Sequence, residues 1–169
     1  VDYTKQSNFE LIALDLKGLL ENLESLLEER ARSQKVEFNM QITDEAIMVM
    51  GNQEKLKQVI INLVLNALDA MPKGGILNLA LTRQTPSLKD DYHIAQISVQ
   101  DTGQGITPEI KTRIFEPFLT TKTNGLGLGL SICKDIIDKH KGRIVCSSVQ
   151  NKGTTFAIRL PLVQINLKT

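Results

Sequence analysis

The chain has 169 residues, 41% of them hydrophobic, which suits one domain with a sizeable core. Twenty basic residues against nineteen acidic leave a formal net charge of +1, so no global field draws nucleic acid or an anionic membrane, and binding must be local. No apolar run approaches the ~20 residues of a membrane span and no signal peptide is read at the start; Cys133 and Cys146 lack CxxC spacing, sit among apolar residues and read as reduced core thiols, which favours the cytoplasm.

From Val1 to about Gln34 the sequence reads as a lead-in and then a helix, with Leu16, Leu19, Leu20, Leu23, Leu26 and Leu27 at three- and four-residue steps. That stripe is expected to pack on the domain's own core; the alternative is a partner helix, although a coiled-coil seam needs more heptads. Val36, Phe38, Met40 and Ile42 alternate with polar residues and Ile47 to Met50 is a second apolar run, so the two are expected to pair as a hairpin of strands. Gly51 and Asn52 break that pattern. From Gln53 to Met71 the apolar positions Leu56, Val59, Ile60, Leu63, Val64, Ala67 and Leu68 predict a helix, ended by Pro72-Lys-Gly-Gly75.

Inside that helix stand Asn62 and Asn66, four residues apart and so on one face, with Gln58 a turn before and Asp69 behind. A helix interior disfavours Asn, whose amide competes with the backbone for hydrogen bonds. Either could cap a neighbouring strand or face water; alternatively their oxygens suit a hard Mg²⁺ that keeps several waters and is shared with phosphate.

Leu77 to Thr82 and Ile94 to Gln100 alternate as strands around a polar loop from Thr85 to Asp91. The second strand ends at Asp101, followed by Thr-Gly-Gln-Gly105; a carboxylate there either caps the turn or faces a ligand. Thr107-Pro-Glu reads as an N-cap with Pro at the first helical position, and Phe115-Glu-Pro-Phe118 stops that short helix, its two Phe read as anchors for a mobile loop. Thr120 to Gly125 reads as a lid, in which Lys122 is either a point charge for a β- or γ-phosphate or a solvated loop lysine. Gly125-Leu-Gly-Leu-Gly-Leu130 then opens a helix through Ile132, Cys133, Ile136 and Ile137 that closes at His140-Lys-Gly142. Backbone N–H groups from Gly127 to Leu130, with the helix dipole behind them, can bind phosphate, although no GxxxxGK[ST] is present and the spacing is not GxGxxG. Ile144 to Ser148 and Thr155 to Leu160 read as a strand pair, and Val163 onward as a short tail. His93, at a strand start, and His140, at a helix C-terminus where the dipole favours an imidazolium, are the two histidines, and neither looks like a phosphoacceptor.

In sequential order, Gln58 to Met71, Asp101 to Gly105, Phe115 to Lys122, Gly125 to Leu130 and Gly153-Thr-Thr-Phe156 form a set that resembles the ATP-binding catalytic domain of sensor histidine kinases, within the wider family that includes gyrase, the Hsp90 chaperones and mismatch-repair ATPases. The resemblance covers roughly Asp15 to Pro161. It implies the Bergerat fold, a two-layer α/β sandwich with a mixed, mostly antiparallel sheet of about five strands and three main helices on one face. It also implies that 1–14 end a dimerisation and phosphoacceptor hairpin with its linker, that 15–162 bind ATP, and that 163–169 are a tail.

Site residues are implied in the same way. Asn66 would hold Mg²⁺, Asn62 would contact phosphates or the metal's waters, and Asp69 would lie near the triphosphate. Asp101 would accept the adenine amino hydrogen, reinforced by Thr154 through water, Gly103 and Gly105 would let the backbone turn beneath the base, and Ile106 would also contact the nucleotide. Phe118, Thr121, Lys122 and Gly125 would approach from the lid, and Gly127, Leu128, Gly129 and Leu130 would cradle the phosphates. Asn62, Asn66 and Lys122 form the implied catalytic set.

The implied activity is that of a protein-histidine kinase, which binds Mg-ATP and passes the γ-phosphoryl to a histidine on a helical hairpin not contained in this chain, for relay to a response-regulator aspartate. The implied partners are that hairpin and a response-regulator receiver domain, with a homodimeric parent, no nucleic acid and no direct membrane contact by this chain; the location is cytoplasmic, with a parent that could be anchored in the inner membrane. The alternatives are an anti-sigma-factor-like interaction protein or Ser/Thr protein kinase, against which the lead-in speaks, and a gyrase-like ATPase, which would carry a water-activating Glu where this chain has Asn62.

Overall fold

Asp15 is the residue from which the fold departs. It closes the strand β1 (Ile12–Asp15) and caps the helix α1 (Leu16–Ser33), its Oδ1 accepting from the backbone N–H of Lys17 at 3.0 Å and of Ile47 at 2.9 Å. One carboxylate thus starts the helix and ties it to the chain ahead of β3 (Met48–Gly51). The computed structural model describes residues 9–84, 93–117 and 129–163.

The remaining elements are β2 (Val36–Ile42), α2 (Gln53–Asp69), β4 (Gly75–Gln84), β5 (Ile94–Asp101), α3 (Pro108–Lys111), α4 (Gly129–Lys139), β6 (Arg143–Val149) and β7 (Gly153–Pro161). Five strands form one sheet in the order β2-β4-β5-β7-β6, parallel only between β2 and β4. In register across it run Leu79, Val99 and Phe156, all buried. The alternate row is polar, Asn39 donating to Asn78 at 3.0 Å and Asn78 to Gln100 at 3.5 Å. One face is therefore core and the other is wet, and α1, α2 and α4 cover the apolar face. This is the expected two-layer α/β sandwich with its mixed, mostly antiparallel sheet.

The leucine stripe packs as expected on the domain's own core: Leu16, Leu19, Leu20, Leu23 and Leu27 are buried, each contributing about 1.5–3 kcal/mol over exposure, while Leu26 stays 44% exposed. The expected hairpin of Glu37–Ile42 with Ile47–Met50 does not form. β2 pairs in parallel with β4, and β3 pairs antiparallel with β1, a strand absent from the sequence reading. Alternation identified the strands but carries no information about the partner, and the capping of Asp15 on Ile47 draws β3 to β1 instead.

His140 also differs from expectation. It is 2% exposed; its Nδ1–H donates to the Ile136 carbonyl at 2.8 Å and its Nε2 accepts from the Asn52 N–H at 3.0 Å. Since a carbonyl only accepts and an amide N–H only donates, both ring nitrogens are assigned and the ring is neutral. Burial holds its pKa below the usual range, with the Ile136 contact pulling the other way, so the helix dipole does not produce an imidazolium. Asn52 in turn caps α2, its side chain accepting from the Lys55 N–H at 3.0 Å, so this ring fastens the end of α4 to the start of α2.

Candidate functional site

The candidate residues that the structure describes gather where the C-terminal end of β5, the C-terminal half of α2 and the β6–β7 turn meet. Asp101 ends β5 and is 4% exposed. Its Oδ1 accepts from the backbone N–H of Gly103 at 2.9 Å and of Thr154 at 3.2 Å, so both bonds fall on one oxygen and Oδ2 receives neither. Burial pushes the carboxyl's pKa up, and the two N–H groups pull it back. The capping reading and the ligand reading of this residue are thus compatible: one oxygen organises the turn while the other keeps its acceptor capacity.

Gly103 and Gly105 sit beside it in the turn, and the packing of the chain already calls for glycine at both. A Cβ at Gly103 would collide with the Ala70 carbonyl at the end of α2, and Gly105, at φ 73°, would collide with the Val149 carbonyl. Each lacks a side chain because the protein's own backbone crowds it. The turn is sewn to both neighbours, Gln104 N–H donating to the Ala70 carbonyl at 3.2 Å and Asn151 N–H to the Gln104 carbonyl at 2.6 Å.

Asn62 and Asn66 are half-buried on α2, and Asp69 is exposed at its end. Because Ala70 touches the glycine turn, Asn66 stands about one helical turn from it and Asn62 one turn further back. Asn62 lies beside the buried Cys133 of α4, whose thiol donates to the Val59 carbonyl at 3.9 Å; burial pushes that thiol's pKa up to about 11, with the nearby Asn62 side chain pulling it back. The side of α4 next to its start is thereby pressed against the middle of α2. Gly129 opens α4 exposed, and among the described residues a Cβ there would meet nothing within 4 Å, so their packing does not demand this glycine. Leu130 is half-buried and Ile106 rests against the core. Phe118, Thr121, Lys122, Gly125, Gly127 and Leu128 lie outside the described residues.

Thr154, 5% exposed, belongs to a hydroxyl cluster whose centre is Ser148, a residue the sequence reading passed over. Its only sequence signal was its place opposite Thr154 in the strand pair. Among the described residues no group of three or more His, Cys, Asp or Glu could hold a metal, so a cation here would depend on amide oxygen and on oxygens of a ligand. A hollow of about 390 Å³ lined by Glu28, Arg32, Lys35 and Phe38 lies by the edge strand β2, two strands from Asp101, and takes no part in the site.

The family model of histidine kinase-, DNA gyrase B-, and HSP90-like ATPases matches residues 51–164. The chain belongs to this family. Within it, the chain is similar to Sporulation kinase A of Bacillus subtilis (strain 168), 39% identical over 148 residues that make up 88% of this chain and 23% of that protein. Among solved structures it is similar to the catalytic domain of histidine kinase ThkA, at 35% identity and a TM-score of 0.77, covering 90% of this chain and 95% of that one. ThkA in complex with response regulator protein TrrA matches at 32% identity and 0.75, over 95% of this chain and 44% of that one. Full-length ShkA in complex with AMPPNP matches at 25% and 0.78, over 94% of this chain and 32% of that one. The chain is a catalytic domain of the histidine kinase type, and it spans about a quarter to a third of the length of the curated relatives it matches.

Proposed function

We propose that this domain binds Mg-ATP in the angle between α2, the 101–105 turn and the start of α4, and that it delivers the γ-phosphoryl to a histidine on a helical hairpin, for relay to a response-regulator aspartate. The observation that carries the reading is Asp101, a buried carboxylate with one oxygen held by two backbone N–H groups and the other left to accept. An acceptor fixed in this way suits the exocyclic amino group of adenine and would face the carbonyl of guanine unpaired. Thr154, alongside, supports the same edge.

Asn66 would hold the magnesium ion, and Asn62 would contact phosphates or orient the metal's waters. Bound magnesium supplies neutralisation of phosphate charge. Backbone N–H groups at the start of α4 would take the phosphate oxygens, and Lys122 would add a point charge from the lid. Phosphoryl transfer then rests on positioning and charge stabilisation, with an imidazole nucleophile that His140 cannot supply, since both of its ring nitrogens are engaged. The receiver domain of a response regulator, a homodimeric parent, an upstream hairpin that ends within 1–14 and a cytoplasmic setting complete the proposal; the ThkA complex with TrrA supports the regulator as partner.

Calorimetric titration with ATP and with GTP, each with and without Mg²⁺, tests the binding half. Saturable 1:1 binding of ATP, strengthened by Mg²⁺ and at least tenfold tighter than GTP, supports it; equal affinity for the two bases contradicts it.

A further inference from the structure

Ser148 lies opposite Thr154 on the β6–β7 ladder, and its hydroxyl has three neighbours at hydrogen-bond distance. The Ile106 N–H reaches its Oγ at 2.7 Å, the Gly153 carbonyl lies at 3.1 Å, and the Thr154 Oγ1 lies at 2.9 Å. A hydroxyl has one proton and two lone pairs. The amide N–H can only donate, so it occupies one lone pair. The Gly153 carbonyl can only accept, so it takes the single proton. The remaining lone pair can be met at Thr154 only if the Thr154 hydroxyl donates.

We infer that Ser148 is a specificity-determining positioning residue: it consumes the Thr154 proton, so that Thr154 offers the ligand lone pairs alone and the Asp101–Thr154 edge is made entirely of acceptors. This inference rests on the proposed ATP reading of the site. Two adjacent acceptors welcome the amino group at position 6 of adenine, directly or through a water that donates to both. A carbonyl at that position has no donor to meet, because the one hydroxyl proton that could have turned toward it is held by Ser148. The same serine binds the Ile106 N–H, so the turn beneath the base and the hydroxyl that reads its edge are set by one side chain.

The test compares ATP with ITP, which replaces the 6-amino group by a carbonyl and leaves the sugar and triphosphate unchanged. Affinities for both, with Mg²⁺, are measured by calorimetry for the wild type, Ser148→Ala, Thr154→Val and the double variant. The expected results are an ATP affinity about fivefold weaker in Ser148→Ala, ITP affinity unchanged or higher, and a double variant no worse than Thr154→Val alone. Equal losses for both nucleotides, or a double variant showing the product of the single losses, would overturn the inference and leave Ser148 as a clamp only. A wild type that fails to prefer ATP over ITP would overturn the ATP reading itself, which is a separate outcome. Independently of any variant, the Thr154 hydroxyl proton of the wild type should exchange slowly and show a nuclear Overhauser contact to the Ser148 β-protons; rapid exchange with solvent contradicts the assignment.

Discussion

Replacing Asp101 with Asn separates binding from folding at this site. The amide oxygen of Asn can still accept from the Gly103 and Thr154 N–H groups, at 2.9 and 3.2 Å in the parent, so the turn should survive. The second oxygen becomes an NH₂ group, a donor aimed at a donor if the adenine amino group lies there. A hydrogen bond to a charged group contributes about 1.5–3 kcal/mol, which corresponds to an ATP affinity about ten- to 150-fold weaker. Stability should move the other way. Burial raises the carboxyl's pKa in the folded state, so its contribution is fully present below the ordinary carboxylate range and is lost as pH rises through the folded pKa. The Asn variant carries no such loss, and its melting temperature relative to wild type should therefore rise from about pH 4 upward and level off once the pH passes the folded-state pKa. Calorimetry at pH 7.5 and melting curves across pH 4–8 read both effects. Unchanged ATP affinity, or weaker binding accompanied by a lower melting temperature at pH 7.5, refutes the reasoning.

Asn66→Ala should abolish the Mg²⁺ dependence of ATP binding; titrations that still differ with and without metal as in the parent would move the metal elsewhere. For His140, the folded pKa lies below the usual 6.5, so the stability it contributes is full above that value and is lost as pH falls through the folded pKa. Urea midpoints between pH 8 and 5 should therefore fall more steeply for the wild type than for His140→Ala. That variant should itself be about 1–3 kcal/mol less stable at pH 8, because the Asn52 N–H loses its acceptor. Leu20→Ala, at a fully buried position of α1, should cost about 2–5 kcal/mol in urea unfolding without changing the ratio of ATP to GTP affinity.

The helices and the five strands of the main sheet were legible in the sequence because their burial is one-sided: Leu56, Val59, Leu63 and Ala67 at helical steps, or Leu77, Leu79 and Leu81 at alternate ones, are the signature of a face turned to the core. Partner choice was not legible, since β2 alternates in the same way whether it pairs with β3 or with β4. β1 was missed because Ile12 and Ala13 are both exposed and no alternation survives in four residues. At the candidate site, Asp101, Asn62, Asn66 and Thr154 were singled out through motif order. Ser148 and His140 act on the Thr154 hydroxyl and on the Asn52 backbone N–H, and such roles depend on contacts across 6 and 88 residues of sequence that no motif encodes. The glycines of the 101–105 turn were noticed in the sequence, but the Ala70 and Val149 carbonyls that crowd them come from distant segments and were not legible there.

The central claim, that this domain phosphorylates a histidine, is tested most directly by the natural protein that contains it together with its helical hairpin, incubated with ATP radiolabelled on the γ-phosphate and Mg²⁺ and then divided between acid and alkali. The account predicts label on the protein that is lost in acid and kept in alkali, as phosphohistidine is, and absent from the Asp101→Asn and Asn66→Ala variants. Label that survives acid, or no label while ATP still binds, would contradict it.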